Sequence, residues 1–218
     1  NLDGALTNTT NLSVTGATAL GADVTTSGTQ EYTGLVTADV AAKRTLTGST
    51  ITLTGGLDGG AQALDIAGDL VTGAAMTNIT VLDVSGTASL GGSVTTADSL
   101  TIDGTLTLTT NITLDSTGND ATDDITLAAI SGTAGGATES LVLDAGAAGA
   151  ISVSGAVTGL EDLSLTLSDG ATFAAVTLNN DFTITGATTG ANITFNGNLS
   201  LGGDFITAAS NYNIAINE

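Results

Sequence analysis

The densest group of side chains able to do chemistry is Asp120, Asp123 and Asp124, in the run Asn119-Asp120-Ala-Thr-Asp123-Asp124. Hard oxygen ligands crowded onto a polar loop suit Ca2+. These three aspartates are therefore the candidate metal residues, and Ca2+ is the one cofactor they suggest. The alternative is a solvated acidic loop. Glu161-Asp162 and Asn180-Asp181 are smaller candidates of the same kind.

Catalysis is poorly supplied. The chain has no His and no Cys, which removes Ser/His/Asp and Cys/His nucleophiles and ordinary zinc ligation. Lys43 and Arg44 are the only cations. A carbohydrate lyase needs such a base beside clustered acids, but neighbours on a strand project to opposite faces, so both cannot line one cleft. No enzyme is expected, and the pair is expected to meet acids on a neighbouring coil or subunit. Two cations against 22 acids give a net charge of -20. No surface of such a chain neutralises a run of phosphates, which excludes nucleic acid as a partner. No apolar stretch approaches the roughly 18 residues of a membrane-spanning helix, so membrane insertion is not expected.

Thr numbers 42 and Gly 30 of 218 residues. Both are poor helix formers. Disorder is disfavoured, because 41% of residues are apolar and mean hydropathy is +0.37, whereas disordered chains are low in aliphatics. Short alternations of aliphatic and hydroxyl residues run throughout: Leu12-Ser-Val14, Ile51-Thr-Leu53, Ile79-Thr-Val81, Leu100-Thr-Ile102, Ile125-Thr-Leu127, Ile151-Ser-Val153 and Leu199-Ser-Leu201. Period two places the aliphatics on one face, and Thr is a good strand former. Asn or Asp precedes many of these triplets (Asn11, Asn78, Asn111, Asp124, Asp162, Asp181, Asn198), which suggests sharp corners in left-handed conformations. Strands of three to five residues turned so often are too short for an ordinary sandwich.

Leu12 to Thr26 aligns without gaps onto Leu82 to Thr96. An offset of this size suggests about three coils of roughly 20–25 residues each, a solenoid period. The expectation is an all-β fold: a right-handed parallel β-helix or β-solenoid of roughly 9–11 short coils. Residues 1–218 would form a single solenoid domain, with Ser116 to Ala137 looping out of a coil. Absence of Pro fits, since Pro would remove a ladder hydrogen bond.

Val14-Thr-Gly-Ala-Thr-Ala-Leu-Gly-Ala-Asp-Val-Thr-Thr-Ser-Gly-Thr-Gln-Glu-Tyr-Thr-Gly34 resembles the repeats of filamentous-haemagglutinin-like bacterial surface proteins. Asn192-Ile-Thr-Phe-Asn-Gly197 and Gly59-Gly-Ala-Gln-Ala-Leu-Asp-Ile66 are similar to further segments of such repeats. The acidic, Cys-free, Thr/Ala/Gly-rich composition is also similar to S-layer proteins. Both resemblances imply an exported, repetitive, β-rich structure at the cell surface. The secretion-signalling domain of the first family is not matched, and neither is the Gly-Gly-x-Gly-x-Asp calcium nonapeptide.

Three further patterns have structural explanations at hand. Asn8, Asn11, Asn78, Asn111, Asn192 and Asn198 open glycosylation-type triplets, but corner-forming Asn accounts for them. Thr-x-Thr pairs such as Thr105/Thr107/Thr109 suggest an ice-binding array, yet solvent-facing strand hydroxyls suffice. Phe173, Phe182, Phe195, Phe205 and Tyr212 crowd the last quarter, as a wider core there requires, with a contact surface at the end of the rod as the alternative.

The chain opens Asn1-Leu-Asp-Gly4 without Met or a signal-like segment, and is read as a mature or excised segment. Neither Asn1–Gly4 nor 211–218 reads as an amphipathic cap, which repeat proteins need. Asn1, Leu2, Tyr212, Ile214 and Ile216 are therefore candidate assembly residues, with other copies of the chain as partners, head to tail or laterally. The expectation is an extracellular structural or adhesive element of a bacterial surface fibre. Alternatives are an S-layer subunit, a carbohydrate-binding or carbohydrate-active β-helix with cell-surface polysaccharide as partner, and an ice-binding solenoid.

Overall fold

The computed structural model describes residues 1–38, 42–116, 118, 120–133, 136, 138–208 and 211–217. Among these residues there is no helix, and every strand belongs to one sheet whose pairings are all parallel. The chain winds as a β-solenoid of about 10 turns. A typical strand pairs with the strand three further on, so each turn has three sides, and three ladders run along the rod.

The three-residue strands follow from the triplet pattern. In Leu100–Ile102 and Ile125–Leu127 the outer two residues are buried and the middle Thr faces out. Leu100 pairs with Ile125 and Ile102 with Leu127 in register. Repetition of this contact turns inward positions into continuous columns. On the first face one column runs Leu6, Val24, Leu46, Ile66, Val84, Ile102, Leu127, Val153, Phe173, Phe195, Ile216. On the second face Leu12, Gln30, Ile51, Leu70, Ala88, Leu106, Ile130, Val157, Val176 and Leu199 do the same. The third face carries Leu57, Met76, Val94, Leu114, Leu143, Leu165 and Ile184. Each fully buried Leu or Ile contributes about 1.5–3 kcal/mol, and the columns meet in one hydrophobic core.

Coil length varies with the corners. Leu82 pairs with Leu100, 18 residues on, whereas Ile125 pairs with Ile151, 26 residues on. The narrow coils keep a six-residue step, with Leu82, Ala88, Val94, Leu100, Leu106 and Ile112 all buried. The offset between Leu12–Thr26 and Leu82–Thr96 is therefore not a whole number of coils. Leu12 lies on the second face and Leu82 on the first. The unit that repeats is one strand with its corner.

Four other expectations change. Ser116 to Ala137 does not leave the rod as one loop: Ile125–Leu127 and Ile130–Ser131 inside it are regular rungs, and the extra length sits in the two corners around them. Ala137 itself lies outside the described residues. Ile79-Thr-Val81 is out of phase, since Leu82 and Val84 take the inward positions and Val81 is only half-buried. Three strands are long, Arg44–Leu53, Leu57–Thr72 and Met76–Val84. Leu57–Thr72 bends around all three faces, with φ of 59° at both Gly60 and Ala61. Gly68 marks its next corner at φ 151°, where a Cβ would collide with the carbonyl oxygen of Gly48.

The fourth concerns the corner Asn and Asp. Among described non-Gly residues only Asn8, Ala61 and Asn78 have positive φ. Seven other corner residues serve as acceptors instead. The side-chain oxygen of the residue before a strand takes the backbone N–H at the equivalent corner one coil on. Asn11 does so for Thr29 at 2.9 Å, Asp23 for Thr45 at 3.0 Å and Asp69 for Thr87 at 2.8 Å. Asn111 caps Ser140 at 2.9 Å and Asp124 caps Ala150 at 2.8 Å. Asp162 caps Asp181 at 3.1 Å, and Asp181 caps Asp204 at 2.7 Å. A corner N–H that misses the backbone ladder needs such a partner, and an ionised acceptor makes the stronger bond. Part of the acidic excess is thus built into the corners.

Candidate functional site: an acidic corner and the two end coils

The acidic run folds into an enlarged corner between Ile112–Asp115 and Ile125–Leu127. Carboxylate oxygens of Asp98, Asp120 and Asp123 lie within 4.8 Å of one another. Asp98 belongs to the preceding coil, two residues before Leu100, as Asp123 stands two residues before Ile125. The Leu100–Ile125 pairing brings the two together. Asp98 was invisible to sequence spacing and becomes legible only once that register is known. Asp124 is not in the group, since its Oδ1 holds the N–H of Ala150. Asn119 lies outside the described residues.

Hard carboxylate oxygens at this spacing are the donor type a divalent cation takes. The same groups are already acceptors for their own loop. Asp123 is buried, and its Oδ2 takes the Asp120 N–H at 2.8 Å. Asp120 Oδ1 takes the hydroxyl and the N–H of Thr122, which hold its carboxyl below the usual range. Asp98 Oδ1 takes the Ser99 N–H at 2.8 Å. The smaller acidic pairs are corner acceptors too, with Asp162 holding both the Asn180 amide and the Asp181 N–H.

The two cations part, Lys43 lying just before the strand Arg44–Leu53 and Arg44 being its first residue. Lys43 is exposed and pairs with Asp65, one coil on, at 2.6 Å. Arg44 is buried and donates to the carbonyl oxygens of Leu20 at 3.3 Å and Lys43 at 2.9 Å. Asp65 stands in register with Asp83. Burial first, and then Asp65 and Asp103, raise the Asp83 carboxyl above its ordinary value. Asp115 and Asp144 form a second in-register pair, and burial with the charge of Asp115 raises Asp144.

Outward hydroxyls are unevenly spread among the described strands. Leu106–Leu108 carries one, Thr107, between two inward leucines, whereas Arg44–Leu53 carries Thr45 and Thr47 on either side of the buried Leu46. The glycosylation-type triplets have the same origin. Asn192-Ile-Thr194 and Asn198-Leu-Ser200 each read as corner, inward aliphatic, outward hydroxyl. The four Phe rings form two stacked pairs, Phe173 on Phe195 at 5.5 Å and Phe182 on Phe205 at 5.4 Å, joined edge to face.

At the first coil, Leu2 bridges to Leu20 and is half-buried, and Asn1 is exposed. Tyr212 packs against the core and donates to the Ala208 carbonyl at 3.3 Å, so it faces its own coil. The strand Asn213–Ile216 pairs on one side only, with Asn192–Phe195. Ile214 and Ile216 are 41% and 51% exposed. The last coil also presents Leu199, Leu201 and Phe205, only partly covered, and the first presents Leu6 and Leu12 likewise. Sequence reasoning singled out Phe205 among the late aromatics but not Leu6, Leu12, Leu199 or Leu201, because the columns that mark them as outermost described rungs need the register. No family model, curated protein or solved structure matches the chain.

Proposed function

We propose that this protein is a structural or adhesive rod element of an extracellular bacterial surface fibre, built by association of its own copies. The observation that carries this reading is the run of about 10 parallel-paired turns around one continuous hydrophobic core. Backbone pairing of this kind resists bending and pulling along the axis. The resemblance to haemagglutinin-like repeats points to the same surface location. The S-layer alternative differs in having rods tile sideways, which the acid-rich flanks disfavour through like-charge repulsion.

Electron microscopy of the assembled native protein tests the reading. Thin fibres are the expected result. Flat two-dimensional arrays would transfer the protein to the S-layer alternative, and dispersed single rods at all concentrations would reject assembly.

A further inference from the structure

We propose that Asn196 is a self-modification site, whose side-chain amide is converted to a carboxylate by the backbone nitrogen of Gly197. Asn196-Gly197 is the one Asn-Gly pair in the sequence. Glycine matters here because it has no side chain to shield its backbone nitrogen. That nitrogen bonds to Cγ of Asn196 as it loses its proton. The Cγ–Nδ2 bond breaks, and Nδ2 leaves as ammonia with that proton. The product is a succinimide ring. Water opens the ring at either carbonyl carbon, giving aspartate or isoaspartate. The only co-reactant is water.

Hydrogen bonding singles out this corner. Asn196-Gly197 follows the inward Phe195 as Asp103-Gly104 follows Ile102 and Ser154-Gly155 follows Val153, and all three belong to the first-face column. Gly104 gives its N–H to the Gly86 carbonyl at 3.0 Å, and Gly155 gives its own to Ala128 at 2.8 Å. Those nitrogens must surrender a backbone bond before they can react. Among the described residues no acceptor takes the Gly197 N–H. The carbon it attacks is prepared as well. Oδ1 of Asn196 accepts the Asn217 amide at 3.1 Å, which draws electron density away from Cγ. Asn196 is exposed and borders a groove of about 260 Å³ shared with Ser154 and Ala174, so water reaches the ring. Asn11 and Asn111 differ on both counts. Leucine and isoleucine follow them, and their side-chain oxygens hold corner N–H groups.

Either product adds a negative charge to a stretch poor in them, since residues 182–217 contain Asp204 alone. Aspartate keeps the chain path, and its carboxylate still accepts the Asn217 amide. Isoaspartate routes the backbone through the side-chain carbon and so lengthens the corner. That extra length falls between Phe195, stacked on Phe173 at 5.5 Å, and the strand Leu199–Leu201. The coil there loosens as the protein ages, while the other coils keep their register.

Peptide mass mapping tests the site. The folded protein is held in mildly alkaline buffer and sampled over time, and amide loss is read at each Asn. The Asp103→Asn variant supplies a second Asn-Gly pair at the equivalent corner, with its glycine N–H held by Gly86. Ser154→Asn supplies another, should the first variant fold poorly, and circular dichroism reports the folding of each. The expected result is loss at Asn196 several-fold faster than at the installed asparagine of the same molecule, with Asn11 and Asn111 unchanged. In urea, where both glycine N–H groups are free, the two pairs should react at equal rates. Equal rates in the folded variant, or an Asn196 that keeps its amide while the protein is folded, would overturn the proposal. So would a difference that persists in urea, because it would belong to the flanking residues and not to the held N–H.

Discussion

Oδ1 of Asp181 accepts the backbone N–H of Asp204, one coil further along the rod, at 2.7 Å. Asp181 in turn gives its own N–H to Asp162 at 3.1 Å. The side chains of Asp162 and Asp181 therefore form two steps beside the backbone ladder, pinning three successive coils. Asp181→Ala leaves the Asp204 N–H without this acceptor and should cost about 1–2 kcal/mol. Asp181→Asn should recover most of the loss. Urea unfolding of the three proteins measures both, and an alanine variant as stable as the parent would remove the ladder from the explanation of the charge.

A polar residue buried inside the rod gives a second prediction. Gln30 occupies an inward position with no exposed surface. Its amide donates to the carbonyls of Val24 at 3.1 Å and Thr47 at 2.8 Å, and its oxygen accepts the Tyr32 hydroxyl at 3.0 Å. Burial pushes the Tyr32 phenol from 10.0 up to about 12. A raised folded pKa stabilises below the unfolded value and loses that contribution as pH rises through the folded one. The fold should therefore weaken between about pH 10 and pH 12. Ultraviolet titration should show a late phenolate step that disappears in Tyr32→Phe, and a parent protein without that late step would contradict the buried pair.

Asp83 and Asp144 make the opposite kind of contribution for carboxylates. Both have raised pKa values, chiefly through burial. Their stabilising effect is present below the unfolded value, near pH 4, and is lost as pH rises through the folded values. At pH 7 both ionised groups are unfavourable. Replacing both with Asn should stabilise the protein by about 0.3–1 kcal/mol at pH 7, with much of each group exposed and screened. The double variant should also gain less than the parent on acidification to about pH 4.5. Asp58, held low by Gly60 N–H and Asn78, works in the other direction in both proteins and cancels from the comparison. Equal pH dependence in the two proteins would contradict the stacked-carboxylate reading.

Lys43 offers a salt-dependent test. It reaches Asp65 at the head of the Asp65–Asp83 stack. The pair is exposed, so Lys43→Met should cost no more than about 1 kcal/mol. The loss should shrink at 1 M salt, where the screening length falls to about 3 Å. A second substitution, Asp65→Asn, should restore most of it at low salt. A loss unchanged by salt and by Asp65→Asn would mean that the lysine stem, not its charge, matters there.

Much of the rod was legible before its register was known. Leu100-Thr-Ile102, Ile125-Thr-Leu127 and Ile151-Ser-Val153 carry strand length, inward face and stacking in three residues each. What the triplets could not show was how many residues the corners hold. That is why the Leu12 and Leu82 copies fell on different faces, and why Ile79-Thr-Val81 looked like one rung when Ile79 is buried, Val81 is not, and Leu82 with Val84 forms the rung. The same gap hid Asp98, which meets Asp120 and Asp123 only through the pairing of Leu100 with Ile125. Asp124 looked like a ligand and is a cap, because acidity alone does not separate a cation donor from an N–H acceptor. The end residues Leu6, Leu12, Leu199 and Phe205 match interior rungs in type and differ only in having a neighbour on one side.

Association of copies into a fibre has one most direct measurement, small-angle X-ray scattering across a concentration series. About ten coils at about 4.8 Å give a unit of roughly 50 Å. Fibre growth should lengthen the particle beyond that unit while the cross-sectional radius stays constant. A cross-section that thickens as mass rises, or a particle that keeps the length and mass of a single chain at every concentration, would contradict it.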